Sequence, residues 1–395
     1  FTCSMAFSSR GLRLIHRSPH KAFVLDFLDG ISRCFTHYLK PPRPELRLSG
    51  AAGRLELPRY GIMLPTAIKH LQQRDEPIMR VVVIGATGHV GTYLIPRLVE
   101  AGHEVIAMSR GQRQPYQPHA AWRQVQQISM DREAEEAAGT FGARIRDLQA
   151  DVVIDMICFT LESAKQLVEA LRGQVQQFLH CGTIWAHGHS TVVPAVEEQP
   201  RQPFGAYGIQ KAQIEAYLLN EARRNGFPAA ILMPGHIVGP GWTPLNPAGH
   251  FNPEVFGVLA RGEELCLPNL GLETVHHVHA DDVAQSFMQA MANWSSACGE
   301  NFHVVSPGAV TLRGYAEAVA AWFGQPARLT YLGWEQWRTT VPESEAVATW
   351  DHIAHSPNAS IAKAQRLIGY RPRYTSFQAV YESVFDLIER GVITI

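Results

Sequence analysis

The sequence predicts an α/β protein: a doubly wound parallel sheet followed by a smaller, mostly helical C-terminal lobe. Three observations predict this class. Short β-branched strands alternate with helical stretches between Met79 and Gly241. A glycine-rich turn stands between the first strand and the first helix. After Gly241 the alternation gives way to loops rich in Pro, Gly and Asn with scattered helices.

The composition is that of a globular protein with one large domain or two. Of 395 residues, 46% are hydrophobic and 18% are charged, and the net charge of −1 gives no reason to expect nucleic acid as a partner. No apolar run reaches the length of a bilayer span. We therefore expect a cytoplasmic protein that acts on a small molecule and has no nucleic-acid or membrane partner. A homodimer is one oligomeric state that the sequence allows.

The cysteines give no sign of a disulfide framework or a structural metal site. They are scattered along the chain without a CxxC pair, which is typical of a reducing compartment. The six positions are Cys3, Cys34, Cys158, Cys181, Cys266 and Cys298.

The first 78 residues differ in charge from the rest of the chain. They hold 12 Lys and Arg against 6 Asp and Glu, and residues 1–22 contain no acid at all. One interpretation is an organelle transit peptide, which is basic and rich in serine. The interpretation that we favour is a disordered or non-native extension, because Met79 directly precedes the first strand. We expect residues 1–78 to contribute little to the fold.

The first half of the chain then follows strand by strand. Residues 80–84 form a β-branched run ending in glycine, typical of a buried parallel strand. Apolar spacing predicts a helix over residues 90–101, with Gly102 as its C-terminal cap. The next strands are predicted at residues 104–108, 125–128, 152–157, 177–181 and 229–233. The clearest helices between them are predicted at residues 161–171 and 205–225.

The second half is predicted as a lobe that covers the ligand-binding edge of the sheet. A first domain spans residues 79–241 and the lobe spans 242–395, with residues 274–305 returning to the first domain. Strands are predicted at residues 275–278 and 301–305. Helices are predicted at residues 253–261, 282–292, 311–324, 359–368 and 375–390.

The glycine-rich turn predicts a dinucleotide site in the first domain. It reads Gly85-Ala86-Thr87-Gly88-His89-Val90-Gly91 and lies between a strand and a helix, as such a site requires. The tight turn lets backbone N–H groups approach a pyrophosphate at the positive end of the helix. The candidate cofactor contacts here are Gly85, Thr87, Gly88, His89, Val90 and Gly91.

The end of the second strand indicates which dinucleotide fits. An acid there would bind the ribose 2′-hydroxyl of NAD and repel a 2′-phosphate. This chain has Ser109 and Arg110 instead, with Arg113 following, which favours NADP(H) and leaves NAD(H) as the alternative. A merely solvated Arg110 is the other explanation. Asp131, after the third strand, is a further candidate cofactor contact.

Tyr207 and Lys211 are the candidate catalytic pair. They stand four residues apart, so both project from one face of the predicted helix. A lysine ammonium one turn away is expected to lower the pKa of the phenol towards a useful range. Lys211 is also expected to bind the ribose next to the nicotinamide, and Tyr207 is a further candidate cofactor contact.

From about residue 80 to 390 the chain resembles extended short-chain dehydrogenases/reductases of the NAD-dependent epimerase/dehydratase family, which have a Rossmann fold. Residues 233–241, read as MPGHIVGPG, and residues 277–284, read as HVHADDVA, carry the resemblance together with the glycine turn and the Tyr207–Lys211 pair. The resemblance implies that Thr183 hydrogen-bonds the substrate oxygen that exchanges a proton with Tyr207. It also implies cofactor contacts at Pro234 and His236 and substrate contacts at Thr183, His236 and Asn252.

Histidines and acids in the second matching stretch have simpler roles than metal binding. His277 and His279 share a strand face and His276 precedes them, but no third ligand stands at suitable spacing, so we expect no metal site. Asp281 or Asp282 is interpreted as the N-cap of the following helix.

Two departures from the family limit the expected chemistry. Dehydratases of this family carry an Asp-Glu pair directly after the hydroxyl residue, whereas this chain has Ile184 and Trp185. Neither side chain can transfer a proton, which argues against a 4,6-dehydratase. His236 stands where nucleotide-sugar enzymes of the family often have Asn, so we expect its contact with the substrate to differ from the usual one.

Three functions remain open at this point. The first, which we favour from the sequence, is an epimerase-like enzyme that transiently oxidises a hydroxyl of a sugar or nucleotide-sugar. The second is a carbonyl reductase or alcohol dehydrogenase that uses NADP(H) as a true co-substrate. Both use Thr183, Tyr207 and Lys211 in the same way. The third is a non-catalytic scaffold, for instance an RNA-associated one, which the near-neutral charge disfavours.

Overall fold

The computed structural model of the protein describes residues 77–395. The predicted N-terminal extension, residues 1–78, lies outside the described residues except for its last two positions. Within residues 77–395 no helix combines the length and apolar character needed to span a bilayer.

The strands of the described chain begin and end close to the predicted positions in the first half. The list is β1 (Arg80–Ile84), β2 (Glu104–Ser109), β3 (Gln126–Ser129), β4 (Val152–Asp155), β5 (Gln177–Cys181), β6 (Ala229–Pro234), β7 (His236–Val238), β8 (Glu264–Pro268), β9 (Thr274–Val275), β10 (His277–His279), β11 (Asn301–Val304), β12 (Val310–Thr311) and β13 (Arg328–Leu332).

The helices lie between these strands in the alternation that the sequence predicts. The list is α1 (His89–Glu100), α2 (Arg132–Ala137), α3 (Phe141–Arg146), α4 (Leu161–Leu171), α5 (Gly205–Asn225), α6 (Glu254–Ala260), α7 (Ala280–Ala292), α8 (Trp294–Ala297), α9 (Leu312–Trp322), α10 (Trp334–Trp337), α11 (Glu343–His355), α12 (Ala362–Leu367) and α13 (Ser376–Glu389).

Seven parallel strands form the central sheet in the order β3-β2-β1-β4-β5-β6-β11, which confirms the predicted doubly wound Rossmann sheet. Strand order reverses between β1 and β4. In such sheets the crevice beyond the carboxyl ends of these two strands is where a ligand binds. The glycine turn follows β1 and therefore lies at this crevice.

Both faces of the sheet are buried, as the apolar strands require. Because side chains alternate along a strand, Val81 and Val83 pack into one core and Val82 and Ile84 into the other. Helices α1 and α7 pack together on the first face, and α3 and α4 pack together on the second. The central sheet thus lies between two layers of helices.

Outside the central sheet, the described residues form further helices and three small two-stranded sheets. β8 pairs with β13 in parallel, β9 with β12 antiparallel, and β7 with β10 in parallel. The core of these elements includes the buried rings of Phe256, Tyr315 and Trp337. The predicted single strand at 275–278 was wrong: it is divided into β9 and β10 at His276, whose carbonyl accepts the N–H of His236.

The predicted N-cap of α7 was also wrong. His279 is the cap, and its Nδ1 accepts the N–H of Asp281 at 3.0 Å. Asp281 instead accepts hydrogen bonds from the guanidinium groups of Arg97 and Arg373. Asp282 accepts the backbone N–H of Arg373 at 2.8 Å. Both carboxylates therefore tie the start of α7 to other elements rather than capping it.

Candidate functional site

Two adjoining cavities lie at the crevice beyond β1 and β4. The larger has a volume of about 660 Å³ and the smaller about 290 Å³. They are continuous, because both are lined by Gly85, Gly88, His89, Ile157, Phe159 and Trp242. The larger cavity extends past the ends of β2 and β3, and the smaller extends past the end of β5 towards α5.

The glycine turn forms the wall shared by the two cavities. Gly85 has a φ of +89°, which side-chain-bearing residues rarely adopt, and its N–H donates to the carbonyl of Met108. A Cβ on Gly91 would lie 1.9 Å from the carbonyl oxygen of Ala86, so only glycine lets α1 approach the turn this closely. Gly88 caps α1 without a side chain, which leaves the first turn of the helix open to an anion.

The rest of the predicted turn contacts lie on the same wall. Thr87 lines the larger cavity, and Val90 and Gly91 line the smaller one. His89 lines both, and its ring stacks on Trp242 at 5.1 Å between centroids. Burial lowers the pKa of His89 to about 3, so this ring is neutral at physiological pH.

The far part of the larger cavity carries charges of both signs. Ser109, Arg110, Arg113 and Asp131 all line it. Among the ion pairs of residues 77–395, neither Arg110 nor Arg113 has a carboxylate partner. Ser109 Oγ accepts the N–H of Gly111 at 3.2 Å, which holds the loop after β2. Asp131 accepts the N–H of Ala134 and caps α2.

Thr183, Tyr207 and Lys211 line the smaller cavity together with the glycine turn. Thr183 ends the segment after β5, and its Oγ1 accepts the N–H of Trp185 at 3.2 Å. Lys211 is only 3% exposed, and its ammonium donates to the carbonyls of Cys158 and Cys181 at 2.8 and 2.9 Å. The structure thus brings the three predicted catalytic side chains together in the smaller cavity.

The expected effect of Lys211 on Tyr207 is not what this geometry gives. Burial raises the pKa of Tyr207 to about 12, although interaction with the Thr183 hydroxyl lowers it. The Lys211 Nζ lies 5.9 Å from the centre of the Tyr207 ring and is held by the two carbonyls. In this structure Tyr207 is therefore a neutral phenol that holds its proton.

The remaining predicted contacts divide into two groups. Pro234 lines the smaller cavity, whereas His236 does not and packs against Phe251 and His352. Asn252 lines neither cavity. Its amide donates to Glu345 at 2.9 Å and its oxygen accepts the N–H of Glu254, so it fastens the start of α6.

The short turn after Thr183 is anchored from behind by a chain of hydrogen bonds. Arg201, held by Glu215, places Nη1 3.1 Å from Nδ1 of His187. His187 Nε2 lies 2.7 Å from Nε2 of His303, whose Nδ1 lies 3.1 Å from the carbonyl of Ser360. An arginine only donates, so Nδ1 of His187 accepts, and each imidazole passes one N–H onward to Ser360. Both rings must therefore be neutral.

The pKa shifts of the two histidines agree with neutral imidazole rings. Burial, and then the Arg201 charge, lowers the pKa of His187 to about 3. Burial, and then His187, lowers the pKa of His303 well below its usual value. The hydrogen bonds from Arg201 through His187 and His303 to Ser360 hold the end of the turn that follows Thr183.

We expect His303→Leu to destabilise the fold by about 1–3 kcal/mol, because the N–H of His187 would be buried without an acceptor. His303→Gln, which can accept and donate at one amide, should recover part of this loss. Urea unfolding at neutral pH measures both. Equal stability of the Leu variant and the wild type would contradict this account of the chain.

Several lining residues escaped the sequence analysis. Trp242, Phe159, Ile157 and Tyr116 line the cavities but belong to no motif. Phe159 lies with its ring 5.0 Å from the Lys211 ammonium, in cation–π contact. The position of Phe159, a few residues after β4, is the one signal that could have indicated it.

Groups of three or more His, Cys, Asp or Glu side chains able to hold a metal ion are absent from residues 77–395. The three neighbouring histidines have other contacts. His276 lies between the carbonyl of Ser306 and the N–H of Ala359, and His279 caps α7.

Comparison with known proteins places this geometry in context. Residues 81–304 match the model of the NAD dependent epimerase/dehydratase family. The chain is 24% identical to 2′-dehydrokanamycin reductase of Streptomyces kanamyceticus, over 73% of this chain and 80% of that protein. It is 23% identical to chloroplast stem-loop binding protein of 41 kDa b of Arabidopsis thaliana, over 77% of this chain and 78% of that protein.

Solved structures share the fold. An epimerase from Methanothermobacter thermautotrophicus superimposes with a TM-score of 0.62 at 18% identity, covering 80% of this chain and 94% of that one.

Proposed function

The chain belongs to the NAD-dependent epimerase/dehydratase family, and on that premise we propose that it is an NADP(H)-dependent oxidoreductase that reduces a carbonyl compound, with Tyr207 as the proton donor. The observation that carries the proposal is the meeting of Thr183, Tyr207 and Lys211 in a cavity continuous with the glycine turn.

The residues present fit a nicotinamide dinucleotide. The open first turn of α1 suits a pyrophosphate, and the close approach at Gly91 is the packing that such a turn needs. Arg110 and Arg113, two cations without carboxylate partners in the described chain, suit a 2′-phosphate at the far end. When bound, the dinucleotide would supply the hydride.

The side chains would then handle the oxygen and its proton. The Thr183 hydroxyl hydrogen-bonds the substrate oxygen, and Tyr207 donates its phenolic proton to that oxygen as the carbonyl carbon receives the hydride. Two of the three Lys211 N–H groups go to Cys158 and Cys181, which leaves one for a ribose hydroxyl.

Similarity to a known protein favours net reduction over transient oxidation. The similar protein from Streptomyces kanamyceticus is named a reductase, and the similarity covers most of both chains. An epimerase-like cycle on a sugar hydroxyl would instead keep its cofactor through each turnover. Tightly held NAD+ in the purified protein would therefore argue against our proposal.

The cofactor preference gives a sharp test. We expect NADPH to bind roughly 10–100-fold more tightly than NADH, the effect of one or two charge-assisted hydrogen bonds to the 2′-phosphate. Ser109→Asp should reverse the preference, because the new carboxylate repels the phosphate and can still accept the N–H of Gly111.

Calorimetric titration of both variants with both nucleotides provides the measurement. Arg144→Ala is the control, since Arg144 pairs with Glu135 and lines neither cavity. Wild-type protein that binds NADH as tightly as NADPH would refute the preference.

A non-catalytic RNA-binding role is the second candidate, favoured by the similarity to a stem-loop binding protein. Charge opposes it. Residues 79–395 hold 23 Lys and Arg against 30 Asp and Glu, whereas RNA-binding domains present clustered positive charge. Salt-dependent RNA binding by a full chain that binds no dinucleotide would favour this candidate.

A further inference from the structure

We propose that the substrate side of the site takes an uncharged carbonyl compound that packs against Trp185, rather than a substrate carrying a nucleoside diphosphate. The inference rests on the proposed function and specifies its substrate class. Two independent observations carry it: an aromatic wall beside Tyr207, and the pairing of every cation on the segments that build that wall.

The wall begins at Trp185, whose ring lies edge-on to Tyr207 at 6.1 Å. Trp185 stacks on His355 at 4.1 Å with an interplanar angle of 14°, and His355 stacks on Phe204 at 4.0 Å. On the other side His352 lies 5.0 Å from Trp185 and continues to His236 and Phe251. The aromatic wall is thus defined by Trp185, Phe204, His236, Phe251, His352 and His355.

The histidines of this wall contribute no charge. Burial lowers the pKa of His352 to about 4, and it lowers the pKa of His236 and of His355 as well. A neutral imidazole stacks and accepts or donates one hydrogen bond, but it cannot balance a phosphate at neutral pH.

Large apolar side chains also surround the mouth of the site. Phe159, 53% exposed, and Trp242, 37% exposed, line the cavities, and Phe251 of the aromatic wall is 41% exposed. Exposed aromatic rings gathered at one cleft indicate a ligand that covers them. Tyr207, 43% exposed, lies among them, so the covering ligand reaches the proton donor.

The cations of the wall segments are all engaged elsewhere. Residues 184–206, 235–275 and 333–358 contain three Lys or Arg in all. Arg201 is bound to Glu215 at 2.5 Å and Arg261 to Glu254 and Glu263. Arg338 lies 3.6 Å from Glu335, in a groove that shares no lining residue with either cavity. A diphosphate would find no unpaired arginine or lysine on these segments.

The cofactor end provides an internal contrast. There the same chain presents Arg110 and Arg113 to the larger cavity without carboxylate partners among residues 77–395. Residues 77–395 therefore have cations without carboxylate partners at the larger cavity and paired ones along the segments of the aromatic wall. This difference favours an uncharged ring compound over a second nucleotide.

The proposed step balances with the reductant already named. The carbonyl carbon gains a hydride from the reduced nicotinamide dinucleotide, and the carbonyl oxygen gains the Tyr207 proton. The products are the alcohol, the oxidised dinucleotide and a tyrosinate that regains its proton from solvent. Trp185 takes no part in the proton transfer and acts by holding the ring of the substrate.

Calorimetric titration of the full chain loaded with NADP+ tests the inference, using 4-nitrobenzaldehyde, UDP and dTDP as separate probes. We expect the aldehyde to bind and both nucleotides to give no saturable heat in the millimolar range. Trp185→Ala should weaken aldehyde binding roughly 10-fold, the scale of one lost aromatic contact. Trp185→Phe should retain most of the affinity, and NADP+ should bind both variants as it binds the wild type.

Saturable UDP or dTDP binding would overturn the inference, and so would aldehyde binding that is absent or indifferent to Trp185→Ala. These failures are separate from failure of the proposed function. If a nucleotide-sugar were turned over in a Tyr207-dependent way, the oxidoreductase assignment would stand and only the substrate class would fall. If NADP+ did not bind at all, both would fall together.

Discussion

Replacing Tyr207 with Phe should lower turnover by roughly 10²–10⁴-fold, the usual scale for loss of a general acid or base. The substitution keeps the ring and its edge contact with Trp185 but removes the only proton that this side chain can give. Dinucleotide affinity should stay close to that of the wild type, because the substitution keeps the ring and its packing. Steady-state rates and calorimetric affinities, measured on the same preparation, separate the two effects.

Substitutions of Lys211 and Thr183 should affect rate and cofactor affinity differently from Tyr207→Phe. Lys211→Ala should damage both the rate and the cofactor affinity, because it removes the charge and the donor to the carbonyls of Cys158 and Cys181. Thr183→Val keeps the shape and should lower the rate with little effect on cofactor affinity. A Tyr207→Phe variant with full activity would end the assigned mechanism and leave the protein a dinucleotide-binding scaffold.

Gly91→Ala should destabilise the protein by about 3 kcal/mol or more, and the folded fraction should lose dinucleotide affinity. The added Cβ would lie 1.9 Å from the Ala86 oxygen and 2.6 Å from its carbonyl carbon. These are backbone atoms, and the turn cannot move freely because the N–H groups of Gly85 and Ala86 both donate to the Met108 carbonyl. Relief must come from displacing α1, which would remove the amides from the pyrophosphate site.

Gly308→Ala is the matched control, since a Cβ there would meet nothing within 4 Å and its φ is not in the left-handed region. We expect its free energy of unfolding to stay within about 0.5 kcal/mol of the wild type. Urea unfolding of the two variants gives the comparison. Similar stabilities for Gly91→Ala and Gly308→Ala would contradict the close packing that we describe at the turn.

Much of the region from β1 to β6 could be predicted because its signals are local. Helices α4 and α5 have the predicted ends, since apolar periodicity and a flanking Thr160 or Gly226 mark them within a few residues. The glycine turn, too, is a contiguous motif. The β8–β13 pair and helix α11 were missed, because β8 and β13 are short, lie far apart in sequence and become strands only by pairing with each other.

The site divides in the same way. The sequence shows that Tyr207 and Lys211 lie on one helix face, because they are four residues apart. The sequence does not show where the Lys211 ammonium lies. That position depends on the carbonyls of Cys158, after β4, and Cys181, at the end of β5. For that reason the predicted fall in the Tyr207 pKa was wrong for this structure. The aromatic wall likewise joins Trp185 to α11, about 170 residues away, through tertiary packing alone.

The most direct test of the central claim is the dissociation constant of NADPH for the full chain, measured by calorimetry. The claim is that the crevice beyond β1 and β4 binds this dinucleotide, with its pyrophosphate on the turn before α1. It predicts one NADPH per chain with an affinity in the micromolar range, and a large loss of that affinity in Gly91→Ala but not in Gly308→Ala. No saturable binding of NADPH or NADH in the millimolar range would contradict the claim, and equal affinity in the two glycine variants would remove the turn from the site.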